Sequence, residues 1–317
     1  MKLRALVFVL LASPAAVCAQ FPSRQITIIV PIAPGGAPDI AARVIAQKLG
    51  ESLGQPVVVE NRTGANGNIA GALVARAAPD GHTLGLLADS QITINPHLYK
   101  NMAFDTLRDL APVHTVAVNQ FVLTVNPRLP VASFAEFVEY ARKANPPLAY
   151  GSGGNGSQHH LTMEMLKQRA GINLLHVPFK GGAPAAAAAV AGDVAAVWSG
   201  SSNAPQIKAG RLRALAVSGA QRSPQYPELP TIAEFYPGFE TSIWLGFFGP
   251  AGIAPATLSR LRSELKQILE SPDTKAKFNA AGGLDPYVAT PDEFNAVIGR
   301  DYEKYAKVVK DLGLKLD

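Results

Sequence analysis

The chain alternates short β-branched runs with segments whose apolar residues recur every three or four positions, and glycine or proline punctuates nearly every change. The first run, Ile26-Thr27-Ile28-Ile29-Val30, is almost wholly apolar and predicts a strand buried on both faces. It stops at Pro31-Ile32-Ala33-Pro34-Gly35-Gly36, where prolines fix φ and glycines permit positive φ. Pro38 suits a first helical position, Asp39 its first turn, and Ile40, Val44, Ile45 and Leu49 form the apolar stripe of the helix that follows. A buried strand, a glycine turn and a helix N-terminus together make a ready anion site. Gln55–Glu60 then predicts a strand, Ile69–Ala77 a helix capped by Asn66 or Asn68, and Thr83–Leu87 a further strand. This rhythm predicts right-handed crossovers and a parallel sheet.

The rhythm returns further on. Phe121–Val125 reads as a strand, Phe134–Lys143 as a helix capped by Ser133 with Glu136 at the capping-box position, and Leu148–Tyr150 as a short strand. After it comes Gly151-Ser152-Gly153-Gly154-Asn155-Gly156-Ser157, a second glycine-rich turn opening onto a helix, with Ser157 as N-cap. Pro184–Ala191 predicts a helix, Gly192–Trp198 a strand, Gln206 the centre of a helix and Leu212–Val217 a strand. Ser223–Phe239 reads as irregular, Ile243–Pro250 as the last strand, and Pro255–Glu270 and Pro291–Leu312 as helices that pack back onto the first unit. Ser90 and Gln91, at the C-terminal end of the third strand, read as helix caps or as ligand contacts. Asn95–Tyr99 reads as a turn with His97 solvated.

Composition adds a compartment. Lys2 and Arg4 precede Ala5–Leu11, and small residues around Ala19 end the stretch, which describes a secretory signal peptide over residues 1–19. Cys18 is the only cysteine, and Val17 before it is a poor fit to a lipidation site. The processed chain therefore carries no disulfide and no thiol nucleophile, which fits the periplasm. Losing Lys2 and Arg4 lowers the formal charge from +5 to +3. Its basic residues are scattered, so nucleic acid is not expected as a partner.

Three chemistries compete with simple binding. A serine hydrolase would pair Ser157 or Ser152 with His159 or His160, yet no G-x-S-x-G elbow occurs. A phosphate cradle at Gly151–Ser157 lacks the G-K-[ST] ending, although Lys180 in PFKGG could approach. The histidines are dispersed apart from the adjacent 159–160 pair, which diverges on a helix, so neither metal nor cofactor is expected.

Taken in order, PIAPGGAPDIAAR (Pro31–Arg43), QPVVVENRTGANG (Gln55–Gly67), PDGHT (Pro79–Thr83), NPHL (Asn95–Leu98), YGSGGNGSQHHL (Tyr150–Leu161), HVPFKG (His176–Gly181) and GRLRALAV (Gly210–Val217) carry a resemblance. The chain resembles the extracytoplasmic solute receptors of tripartite tricarboxylate transporters, the Bug/TctC type. The resemblance implies a periplasmic-binding-protein-like α/β fold: two α/β domains joined by two crossing strands, with a ligand cleft between them. It places the crossings near Phe121–Val125 and Thr241–Phe248. It implies a discontinuous first domain of residues 20–122 and 243–317 and a second of 123–242.

The resemblance further implies a non-enzymatic, monomeric receptor in the periplasm that hands a small carboxylate to membrane permease subunits; an accessory role in signalling is the alternative. The site residues it suggests are Ala33, Pro34, Gly35, Gly36, Ala37, Asp39 and Ser90 from the first domain. From the second they are Ser152, Gly153, Asn155, Gly156, Ser157, His160, Phe179 and Ser199. Two departures bear on the ligand. The strand after Gly192 lacks a second acid (Asp193 is followed by Val194-Ala195-Ala196), which argues against an amino acid. Trp198 with Ser199–Asn203 reads either as a stacking wall or as core.

Overall fold

The computed structural model describes residues 21–200, 203–223, 225–280 and 284–316; the leader 1–19 lies outside them. In chain order the strands are β1 (Ile26–Val30), β2 (Val57–Asn61), β3 (Thr83–Ala88), β4 (Leu110–Gln120), β5 (Val122–Val125) and β6 (Leu148–Ser152). They continue as β7 (Leu174–Pro178), β8 (Ala196–Ser199), β9 (Arg213–Val217), β10 (Ser242–Pro250) and β11 (Asp285–Pro286). The first helices are α1 (Ala37–Leu53), α2 (Asn68–Ala75), α3 (Asn95–Leu98), α4 (Phe134–Lys143) and α5 (Gln158–Ala170). After them come α6 (Gly182–Ala191), α7 (Ala204–Lys208), α8 (Pro255–Glu270), α9 (Pro272–Ala280) and α10 (Pro291–Asp311).

Two sheets organise the molecule, one six-stranded in the order β11-β4-β10-β3-β1-β2 and one five-stranded in the order β7-β6-β8-β5-β9. Each has its own core. Ile28, Val30, Leu86 and Phe247 pack against Leu261 and Leu265 on the first, while Leu123, Phe134, Phe137, Tyr150 and Trp198 pack together on the second. Full burial of one such side chain is worth about 1.5–3 kcal/mol, so each unit carries substantial apolar stabilisation of its own.

The chain passes between the sheets twice. β4 ends at Gln120 and β5 begins at Val122, so one nearly continuous extended segment serves both sheets across Phe121. The return is at Thr241, whose N–H donates to the Ser218 carbonyl of the second unit, while Ser242 already pairs with Gln120 of the first. These crossing strands run against their neighbours: β10 is antiparallel to β3 and β4, and β5 to β8 and β9. The expected parallel sheet is therefore mixed. β1, β2 and β3 are parallel, as are β6, β7 and β8, because helical crossovers join them.

Other departures have local causes. β4, the longest strand, was not expected, since Pro112, His114 and Asn119 interrupt its apolar pattern. β7, α9 and β11 were likewise unforeseen, and the C-terminal region adds its two-residue strand to β4. Asn95–Leu98 is a short helix and not a turn; His97 packs edge-on to Tyr302 at 4.4 Å between ring centres rather than standing in solvent. Neither Asn66 nor Asn68 caps α2; Gly67 precedes it, in a left-handed conformation with φ of 87°. A further apolar cluster joins the units, with Leu161 of α5 packed among Ile94, Leu98, Tyr305 and Val309 of the first unit and α10.

Candidate ligand-binding cleft

Between the sheets lies a cavity of about 100 Å³, placed where strands of both units end at their C-termini. Pro31 and Ile32 follow β1, Ala88 and Ser90 end β3, Gly153 follows β6, and Gly200 follows β8. That is the functional edge of an open α/β sheet. Helix starts converge on the same space. α1 presents Gly36 and Pro38, α5 presents Gln158 and His159 behind its Ser157 cap, and α6 presents Gly182 and Ala183 behind Gly181. Each terminus carries partial positive charge and unspent N–H donors.

Among the described residues, no Asp, Glu, Lys or Arg lines this cavity. Its polar groups are neutral amides and hydroxyls, among them Asn66, Ser90, Gln91, Asn119 and Asn203; Phe121, Ile243, Leu245 and Leu284 supply apolar wall. The arrangement can hold an anion by dipoles and hydrogen bonds while its body rests on hydrocarbon.

The residues expected at the site divide into three groups. Gly36, Ser90, Gly153 and Ser157 line the cavity. Asn155 and Phe179 line a wider, more open space at its mouth, together with the exposed Lys180. The remainder, Ala37 aside, line neither space. Ala33 is partly covered, Pro34 and Gly35 are exposed, and Ala37 enters through the backbone of the first turn of α1.

Several of that remainder are structural, and their partners say why. The Asp39 carboxylate accepts the Gly35 N–H at 3.0 Å and pairs with Arg43 and with the Asn61 amide. Burial works to raise its pKa, but bonds from Arg43, Gly35 and Asn61 and the Arg43 charge outweigh it and hold the acid below its usual range. Gly156 gives its N–H to His160 Nδ1 and its carbonyl to the Asn66 amide, 2.9 Å away across the cleft. The His160 ring stacks on His176 at 4.0 Å. Ser199 is fully buried with its hydroxyl 2.7 Å from that of Thr124. Trp198 lies in the second core, fully buried, so it is no stacking wall for the cavity; Ser201 and Ser202 lie outside the described residues.

The serine–histidine contact that does form is not the expected one. Ser152 Oγ is 2.6 Å from His176 Nε2, and Ser152 is completely buried. Burial and the neighbouring His160 hold the His176 ring down at about 4, so it is neutral near pH 7. Ser157 accepts from the backbone N–H of His160 and donates to the Gly154 carbonyl, as an N-cap does. No nucleophile with a base faces the cavity through these residues.

Sequence reasoning missed Asn66, Gln91's structural role, Asn119, Phe121, His159 and Gly181–Gly182 as site residues. Asn66 sits at φ of 49°, a conformation asparagine tolerates, which turns its amide to Asn95 and Gly156. Gln91 does not cap a helix through its position; its Oε1 accepts the Ala88 N–H and its Nε2 reaches the Asn66 carbonyl and Ser90. Asn119 and Phe121 stand on the unforeseen β4 and at its exit. The β-branched spacing of Val113, Thr115, Val116 and Val118 was the signal that could have found them. Behind this wall Asp89 is fully buried with neither carboxylate oxygen bonded among the described residues; burial, then the Asp301 charge, pushes it well above the usual range.

Residues 41–314 match the family described as "Tripartite tricarboxylate transporter family receptor" (TctC). Protein BugT of Bordetella pertussis is 36% identical over 299 residues, covering 93% of this chain and 91% of that protein. Among solved structures, R. palustris Rpa4515 with adipate superposes with a TM-score of 0.89 at 34% identity, covering 93% of this chain and 99% of that one. MatC (Rpa3494) from Rhodopseudomonas palustris with bound malate gives a TM-score of 0.85 at 29% identity, covering 91% and 100%.

Proposed function

The chain belongs to the tripartite tricarboxylate transporter receptor family, a family of solute-binding receptors and not of enzymes; from that premise we propose that its cleft captures a small carboxylate and presents it to the membrane subunits of such a transporter. One observation carries the ligand class: three helix N-termini meet at a cavity whose walls, among the described residues, hold no charged side chain. Each terminus contributes about 0.3–1 kcal/mol to an exposed anion, and up to about 2 when partly buried. Affinity then requires several such donors at once and a water-free site, which closure of the two units supplies. The relatives with adipate and with malate point to the same chemistry.

Gly36, Ser90, Gly153 and Ser157 are the inner contacts in this reading, with Asn119 and Asn66 beside them and Asn155 and Phe179 at the mouth. Residues 20–122 with 243–317, and 123–242, move as the two closing bodies of a monomer. The leader 1–19 sends the protein to the periplasm, a reading that the structural similarity to the periplasmic binding protein BugD supports. An amino acid fits less well, because among the described residues no acid lines the cavity to meet its ammonium group.

A melting-temperature screen with mono-, di- and tricarboxylates, amino acids and the matching amides tests this. Acids raise the midpoint and amides do not; a ligand at a hundred times its Kd adds about 2.7 kcal/mol of stability. Equal shifts from an acid and its amide, or none from any acid, would overturn the carboxylate assignment.

A further inference from the structure

Among the described residues, His159 is the one titratable side chain on the cavity wall. Its ring lies between two glycine turns of the second unit: a methyl built on Gly153 would meet Nδ1 at 3.2 Å, and one built on Gly182 would meet Nε2 at 3.1 Å. Phe121, at the crossing between the units, holds the ring from one side with centres 4.5 Å apart. Among the described residues neither ring nitrogen has a hydrogen-bond partner. His160, one position on, is spent on Gly156 and His176 and does not line the space.

Charged groups on the surrounding elements are engaged elsewhere. On α5, Glu164 and Lys167 pair with each other and with Tyr150; on α1, Asp39 pairs with Arg43; at the mouth, Lys180 is exposed. On β7 stands the neutral His176, and at the end of β3 the buried Asp89. Burial alone depresses His159, to about 4, with no neighbouring charge contributing, so the unliganded ring is neutral near pH 7.

We propose that His159 is a conditional cation of the cleft, which takes up a proton from solvent when a carboxylate arrives beside it and becomes the counter-charge the walls otherwise lack. This rests on the carboxylate reading above. A carboxylate within about 4–6 Å favours the imidazolium by roughly one to three pKa units, and more strongly where water is excluded. No covalent change is involved; one proton moves from water or buffer to a ring nitrogen. The device suits a receptor, since the empty cleft does not hold a buried charge and binding and protonation are linked.

Calorimetric titration with adipate in phosphate and in Tris, from about pH 6, where carboxylates are ionised, to about pH 8.5, reads the protons taken up per ligand. Uptake approaching one proton at the acid end is expected, with Kd weakening by up to about tenfold per pH unit above the pKa of the liganded ring. His159→Gln should abolish both the uptake and the pH dependence. In the wild-type protein, adipate should move the His159 ring Cε1–H resonance to the imidazolium position, a reading that does not depend on the variant folding. Adipate binding without proton uptake overturns this inference and leaves the carboxylate reading intact. Uptake that survives in His159→Gln overturns it too, by sending the proton elsewhere. Failure of adipate, malate and benzoate alike to bind the folded protein overturns the carboxylate reading and this inference together.

Discussion

The two glycine-rich turns, Pro31–Pro38 and Gly151–Ser157, look alike in the sequence and are built on opposite electrostatics. The first is tied by charge: Asp39 in the first turn of α1 holds the Gly35 N–H, Arg43 and Asn61, and the N-cap residue, Gly36, has no side-chain cap. The second is tied by neutral groups: Ser157 caps α5, His160 takes the Gly156 N–H, and Ser152 meets His176, with no acid in the first turn. An anion arriving at α1 meets a helix start whose dipole Asp39 already partly offsets. One arriving at α5 and α6 meets helix starts without a first-turn acid. A shared turn signature therefore fixes where donors point, while the neighbouring side chains decide how much field is left for a ligand.

The largest expected effect tests which turn holds the ligand's space. Gly153→Leu fills the cavity from the second turn, because its first added carbon already stands 3.2 Å from His159. Adipate affinity should fall at least about a hundredfold, some 2.7 kcal/mol, with the fold retained in circular dichroism. Unchanged affinity would move the site away from this turn.

Next comes acid. The two halves should lose stability to acid to different extents. His159 and His176 are held at about 4, below the ordinary histidine value, so the second unit loses stability as pH falls from about 6.5 towards 4. In the first unit burial lowers His97 and His114 as well, but Asp89 sits above the usual carboxylate range, so its protonation favours the folded state as pH falls and offsets part of that loss. Asp39 sits below that range, so its contribution is lost only as pH falls below about 3.8. Each half carries one buried tryptophan, Trp198 in the second and Trp244 in the first. In Trp244→Phe, the Trp198 signal should unfold at higher pH than the Trp244 signal does in Trp198→Phe. Coincident transitions would mean that the halves unfold as one.

Asp39→Asn should cost about 1–2 kcal/mol near neutral pH, because it removes the charge that Arg43 and the Gly35 N–H engage. Its effect should shrink as pH falls below about 3.8 and vanish once the folded wild-type acid is itself protonated. Chemical denaturation at two pH values checks this. Ser157→Ala should cost about 1 kcal/mol at either pH, as loss of an uncharged N-cap does. Smallest in its effect on binding is Gly35→Ala: nothing lies near the added carbon, so only the left-handed φ of 91° opposes it, at about 1–2 kcal/mol of stability, with ligand affinity preserved.

Much of the fold was legible. β1, β2, β3 and β6 were readable because buried parallel strands need continuous apolar runs, and α4 because Ser133 and Glu136 mark its start in a local code. β4 was not, since a strand that serves as a wall and a crossing carries polar residues where the cleft needs them. Of the site, Gly36, Ser90, Gly153 and Ser157 were legible as turn and cap residues. Asn119 and Phe121 were not, because their part depends on a strand passing between two sheets. His159 looked like one of a pair whose members differ only in direction: the helix turns one ring to the cavity and the other onto His176.

The sequence by itself determined the elements, the two strand–turn–helix donors and the family, because backbone preferences and periodic burial are local and are written residue by residue. Tertiary structure alone decided which polar groups are spent on holding the turns and which remain for a ligand. That division depends on partners as distant as Asn66 and Gly156, and on whether burial leaves a histidine neutral or pushes an aspartate's pKa up. Desolvation and pairing are set by three-dimensional neighbours, and no spacing along the chain encodes them.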